Sequence, residues 1–109
     1  RAFELSSNVG VSQVISNAYK KDPQKLINHL KMMGLGATVG IEIPGEAQPK
    51  IKNVVDKDWS GVTLPWMSIG YEVLQTPLQT LTFYNAVADD GKMMKPQLVR
   101  EIRKNTKVI

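Results

Sequence analysis

The polar triplet Ser6-Ser7-Asn8 is the part of this sequence best equipped for chemistry. A hydroxyl and a carboxamide two residues apart at the start of a helix can both face a cleft. The hydroxyl can relay a proton between a neighbouring lysine and a leaving group, while the carboxamide can hold a substrate amide. The triplet also suits a plainer duty, because a side-chain oxygen of Ser7 or Asn8 can accept an unpaired amide hydrogen of the first helical turn. The two roles do not exclude each other. Other candidates are poorer. His29, the single histidine, falls inside an amphipathic helical pattern and reads as a solvated helix residue rather than a base. Glu42 and Glu46 could pair as carboxylates, yet one falls on an expected strand and the other in a turn, so both read as solvated. Gly34, Gly36 and Gly40 lack the spacing of a phosphate loop or a dinucleotide fingerprint.

The elements that must position these residues follow from periodicity and punctuation. Apolar residues at Val11, Val14, Ile15, Ala18 and Tyr19 keep helical spacing after the triplet and predict one buried stripe. Lys20-Lys21 suits the negative end of that helix. A second helix is bounded by Asp22 as N-cap, Pro23 at the first position and Gly34 at the stop, with Leu26, Ile27, Leu30 and Met33 on one face. Residues 39–43 alternate as a strand and end at Pro44-Gly45. Residues 44–65 hold three prolines and two glycines without any period, which predicts a long irregular connection. Thr76-Pro77-Leu78-Gln79 matches a capping box, and Leu78, Leu81, Asn85 and Ala88 follow on one face until Asp89-Asp90-Gly91. Leu98, Arg100 and Ile102 then alternate as a strand does. The resulting class is α+β and mainly helical, with three main helices plus short strands. A two-stranded pair is marginal in water, and the helical faces need more to lie against. The chain therefore reads as part of something larger, with exposed apolar surface or an unpaired strand edge that self-association would cover.

Composition narrows the classes further. The 109 residues suffice for one small domain, and no run approaches the roughly 20 apolar residues that a membrane helix needs. The absence of cysteine removes thiol nucleophiles, disulfides and zinc–thiolate sites, and one histidine cannot supply a multi-histidine metal site. A net charge of +4 is spread along the chain and not interleaved with aromatics, so no nucleic acid is implied.

In context the triplet gains weight. Phe3-Glu4-Leu5-Ser6-Ser7-Asn8-Val9-Gly10 resembles the second active-site motif, Ser-x-Asn, of penicillin-binding transpeptidases. The likeness continues in order through Met33-Gly34-Leu35-Gly36, Gly40-Ile41-Glu42-Ile43-Pro44-Gly45-Glu46, Met67-Ser68-Ile69-Gly70-Tyr71, Thr76-Pro77-Leu78-Gln79 and Gly91-Lys92-Met93-Met94-Lys95-Pro96. These stretches are similar to the region between the second and third motifs of the class B penicillin-binding proteins, and they cover nearly the whole chain.

The resemblance implies the penicillin-binding protein/serine β-lactamase-like fold, an all-helical lobe beside a five-stranded sheet with the active site between them. It implies a serine D,D-transpeptidase that cross-links peptidoglycan stem peptides ending in D-Ala-D-Ala and is trapped by β-lactams, with no cofactor. Ser6 would be the hydroxyl beside the nucleophile and the general-base lysine, Asn8 the side chain that orients substrate, and Ser7 the middle position of the substrate-binding motif. Partners would be divisome or elongasome proteins, with the division subtype preferred. The location would be the periplasmic face of the bacterial inner membrane, through an anchor absent from this chain. Two departures stand out. No serine is followed by lysine three residues later, and no Lys-Thr-Gly or Lys-Ser-Gly occurs, so residues 1–109 are expected to form a partial domain, inactive alone, that runs from Ser-x-Asn to before the Lys-Thr-Gly strand. Glu72 stands where the family often has a second glycine after Gly70-Tyr71. A non-catalytic β-lactam sensor or pseudo-enzyme, and a small basic interaction module, are the alternative readings.

Overall fold

Ser7 opens the first helix: its Oγ accepts the Gly10 amide hydrogen at 3.1 Å, and α1 runs over Asn8–Tyr19. The computed structural model of the chain describes residues 1–104, 107 and 108. Asp22 caps the second helix, α2 (Pro23–Met32), through the Lys25 amide. That helix leaves by a Schellman turn, in which Leu35 N–H donates to Leu30 O and Gly34 N–H donates to Lys31 O. Gly34 takes φ 80°, the left-handed conformation that favours glycine, so the expected glycine stop is in place, with the flexible tip of Met93 lying against it. The capping box is complete as well. In α4 (Pro77–Ala88), Thr76 Oγ1 accepts the Gln79 amide while Gln79 Oε1 accepts the Thr76 amide.

Residues 39–43 do not form the expected strand. Glu46 takes their amides instead: its carboxylate accepts from Val39 at 2.6 Å, Gly40 at 2.9 Å and Ile41 at 3.3 Å. Three N–H groups turned towards one carboxylate cannot also serve a ladder, and Gly40 at φ 69° bends the chain to make this nest. Glu46 is therefore a half-buried anchor and not a solvated residue. The irregular stretch contains two elements without a period to announce them, β1 (Lys50–Ile51) and the short helix α3 (Thr63–Met67). β1 pairs antiparallel with β2 (Val73–Leu74), Lys50 opposite Leu74 and Ile51 opposite Val73. The run at 98–102 is not a strand either. Pairing begins one residue later, between β3 (Arg103–Lys104) and β4 (Lys107–Val108), because no other strand lies beside 98–102 among the described residues.

The exposed and buried faces of two helices also differ from expectation. α1 has no fully buried side chain; Val11, Ile15 and Tyr19 are half-buried, whereas Val14 and Ala18 are exposed. α4 is turned by about one residue's 100° from its apolar stripe, since it buries Gln79, Thr82 and Ala86 and exposes Leu81, Asn85 and Ala88. The cause is polar. Gln79 Nε2 donates to Ala37 O at 3.0 Å and Thr82 Oγ1 donates to Leu78 O at 2.8 Å, so both enter the interior with partners.

Among the described residues the buried apolar core is Leu26, Ile27, Leu64, Met67 and Ala86. The extents are 60 × 35 × 18 Å, and the radius of gyration is 17.9 Å. A compact domain of this length would have about 13 Å. The accessible surface of 8549 Å² exceeds by about 2,500 Å² what a folded monomer of this mass exposes. An excess of that size matches a permanent interface. The isolated 109-residue chain should therefore elute at an apparent mass that rises with concentration, and a concentration-independent compact monomer in sedimentation would contradict this.

Candidate functional site at the start of helix α1

The backbone ahead of α1 forms a single hydrogen-bonded turn. Leu5 N–H donates to Arg1 O at 2.9 Å, Ser6 N–H to Phe3 O at 3.0 Å and Ser7 N–H to Ala2 O at 2.8 Å. The last two bonds repeat the Schellman pattern seen at Gly34, and Ser6 occupies the left-handed position at φ 50°. Serine there costs about 1–2 kcal/mol of Cβ–carbonyl crowding that glycine avoids. The turn lies close against the helix, because a Cβ on Gly10 would sit 2.7 Å from Ala2 Cβ. Between this stop and the new helix, Ser6 and Asn8 are exposed and Ser7 is half-buried with its hydroxyl committed to the Gly10 amide. The cap is thus Ser7, which leaves the Asn8 carboxamide outside the capping bond at the positive end of the α1 dipole.

α1 owes its place chiefly to α3. The side chains of Thr63, Leu64 and Met67 are buried there, and Thr63 Oγ1 ties the helix start by accepting the Ser60 amide at 3.0 Å. The junction is polar: Ser12 Oγ donates to Pro65 O at 3.1 Å and stands 3.1 Å from Ser68 Oγ. Nothing in the spacing of Ser12 and Ser68 singles them out, apart from Ser12 lying one helical turn after Asn8.

The other candidates are placed elsewhere. His29 is half-buried between α1 and α2, where Nδ1 and Tyr19 OH share a hydrogen bond of 3.0 Å and the rings meet edge-on at 5.8 Å. It is therefore a packed histidine, not a solvated one. Glu42 is exposed, away from the nest that Glu46 makes. Among the described residues, no three His, Cys, Asp or Glu side chains gather as metal ligands, and no helix is long and apolar enough to cross a membrane. A cleft of about 510 Å³ lies at the β1–β2 sheet, lined by Lys50, Lys52, Asp56, Lys57, Asp58, Glu72 and Leu74. Its buried Lys52 is already paired, with Asp58 at 2.8 Å and Glu72 at 3.0 Å. The hydrogen bond from Lys52 holds the Asp58 carboxyl below its ordinary range, and the bonds to Asp58 and then Glu72 raise the Lys52 ammonium above its own.

The sequence pattern of the penicillin-binding protein transpeptidase domain matches residues 1–108. The chain belongs to that family. It is 31% identical over 98 residues to penicillin-binding protein PbpB of Mycobacterium tuberculosis, covering 90% of this chain and 14% of that protein. To the Pseudomonas aeruginosa protein named "Probable peptidoglycan D,D-transpeptidase PbpC" it is 31% identical over 100 residues, covering 92% of this chain and 17% of the relative. Penicillin-binding protein 2A of Bacillus subtilis is 36% identical over 76 residues, or 70% of this chain and 10% of that protein. The chain thus spans about a seventh of the length of the first of these relatives.

Glu72, where the resemblance led to the expectation of a second glycine, holds a glycine-like turn with a side chain. Glu72 adopts φ 62°, the conformation that favours glycine, while its carboxylate meets Lys52 and its carbonyl accepts the Lys52 amide at 3.0 Å. The ion pair across the sheet offsets the strain that a side chain meets at this position.

Two outcomes follow from this geometry. Ser7→Ala should cost about 1 kcal/mol in denaturant titration, as loss of a cap does, whereas Asn8→Ala should stay within about 0.5 kcal/mol. Asp58, with its carboxyl depressed, supports folding above the carboxylate range and loses that support as pH falls; Lys52, raised, supports it below the lysine range and loses it as pH rises. Melting temperature should therefore fall less steeply in acid for Lys52→Met than for the unmodified chain.

Proposed function

We propose that this chain is the part of a peptidoglycan D,D-transpeptidase that runs from the Ser-x-Asn motif to before the Lys-Thr-Gly strand, within the penicillin-binding protein/serine β-lactamase-like fold. The single observation that carries the reading is Ser6. A serine occupies a left-handed position where glycine would be unstrained, exposed and two residues before an exposed Asn8. Strain of this kind concentrates where a side chain is needed for function.

In this reading the nucleophilic serine and the general-base lysine come from chain outside these 109 residues, since no Ser-x-x-Lys occurs in them. The serine Oγ attacks the carbonyl of the penultimate D-Ala, and the lysine takes its proton. As the C–N bond breaks, the Ser6 hydroxyl passes a proton to the departing D-Ala amine and is replenished from the lysine. The acyl-enzyme ester is then opened by the amine of a second stem peptide, which restores the serine. Asn8, projecting from the first turn of α1, donates to a substrate amide carbonyl and fixes the bond for attack. Ser7 contributes by capping the helix that carries Asn8. The same ester forms with β-lactams, whose ring opening supplies no leaving amine to clear the site. The protein works outside the cytoplasm of a bacterium, held at the inner membrane by an anchor elsewhere in the longer protein, and serves with divisome or elongasome proteins, the division role being preferred. The printed name of the Pseudomonas relative supports the reaction class.

A fluorescent penicillin tests this. The longer protein should be labelled covalently, and the isolated 109 residues should not; labelling of the isolated chain would place a nucleophile within it and refute the assignment. Ser6→Gly should separate function from stability. It should melt no lower than the unmodified protein, by relief of about 1 kcal/mol of strain, while acylation falls by about 100-fold. Loss of stability without loss of acylation would reduce Ser6 to a turn residue.

A further inference from the structure

Helix α3 ends without enough donors for its own carbonyls. The group that would ordinarily serve Pro65 O is the amide of Ile69, but Ile69 N–H donates to Trp66 O at 3.2 Å. Two hydroxyls take its place. Ser68 Oγ donates to Pro65 O at 2.5 Å from within the same turn, and Ser12 Oγ reaches the same oxygen at 3.1 Å from α1. The two hydroxyls also stand 3.1 Å apart. Two protons are shared among three oxygen–oxygen contacts, so the junction is a closed cluster and not a single bond.

The position of Ser12 gives this cluster its consequence. Residues four apart stand one above the other on a helix, so Ser12 lies directly under Asn8 on one face of α1. α1 is held at its far end by the Tyr19–His29 hydrogen bond and along its length by half-buried Val11 and Ile15, while the cluster is the directional contact nearest the end that carries Asn8. A turn of α1 about its axis would swing Asn8 away from any substrate held in front of it.

We infer that Ser12 and Ser68 are positioning residues: through the shared Pro65 carbonyl they fix the rotation of α1 and hence the direction in which Asn8 presents its carboxamide. This rests on the transpeptidase reading of Ser6 and Asn8. Neither serine touches substrate. The Met67-Ser68-Ile69-Gly70-Tyr71 stretch thereby acquires a task, with its hydroxyl bracing the motif helix from behind.

The test uses the longer protein that carries this chain, a fluorescent penicillin, and acylation rates measured well below each variant's melting temperature. Ser12→Ala keeps α1 formed, because alanine is the best helix former, and removes only the hydroxyl. Ser12→Ala and Ser68→Ala should each slow acylation by about tenfold, in line with the sensitivity of such reactions to small misplacements. Ser68→Thr, which restores the hydroxyl, should return the rate to within about twofold of the unmodified protein. Placed on an Asn8→Ala background, Ser68→Ala should cause no further loss, because it acts through Asn8. Alanine variants that acylate at the unmodified rate would overturn the inference, and so would a full tenfold loss on the Asn8→Ala background. Failure of the unmodified protein to acylate would instead refute the transpeptidase reading, and the inference would fall with it.

Discussion

The structure depends on the seam between α1 and α3. Within these residues α1 has no fully buried side chain and is held in part by polar contacts, and its principal neighbour is only five residues long. α3 in turn is fixed at both ends. Its start is tied by the Ser60–Thr63 contact, and its buried Leu64 and Met67 belong to the small apolar core. Beyond it the chain turns through left-handed Gly70 and Glu72 into β2, which is paired to β1 and closed by Lys52. The motif at the head of α1 is therefore positioned by a relay of short elements, each placing the next.

Directional polar contacts carry much of the specification that a larger core would otherwise supply. Glu46 gathers three consecutive amides, Gln79 closes a cap and reaches Ala37 O, and Lys52 spans two carboxylates. Each such hydrogen bond contributes only about 1 kcal/mol net, more when charged, but each has a geometry that dispersion lacks. Leu81, Tyr84 and Val87 stay outside, where they form apolar surface on α4.

This division explains what could be read in advance. Ends of helices were legible because their chemistry is local: Asp22-Pro23, Thr76-Pro77 with Gln79, and Gly34 each act within a few residues of themselves. The order of the three main helices followed. Faces and strands were not legible, since they depend on what lies opposite. The alternation at 39–43 indicated a strand until Glu46 claimed its amides, and the apolar stripe of α4 pointed the wrong way because Gln79 and Thr82 are buried with partners. α3 and β1 are too short to show any period. At the candidate site the residue types were readable and the conformation was not: the triplet announces a cap, but not that Ser7 makes it or that Ser6 is left-handed.

That last feature separates three residues of similar backbone. Ser6, Glu72 and Asp90 all hold positive φ without being glycine. Asp90 sits at the close of α4 beside Gly91, whose amide donates to Ala86 O at 2.8 Å, so the left-handed pair completes a helix stop. Glu72 recovers its cost through Lys52, and glycine there would forfeit the ion pair. Ser6 is exposed, and the two bonds that define its turn use the Ser6 and Ser7 amides and not the Ser6 hydroxyl. Glycine would make the same turn at lower energy. A side chain stands here where the fold gains nothing from it, which is what the role proposed for the Ser6 hydroxyl requires. The Schellman turn then acts as a mount that holds this hydroxyl clear of the helix while Ser7, its neighbour, takes over the capping that a lone serine would otherwise have to perform.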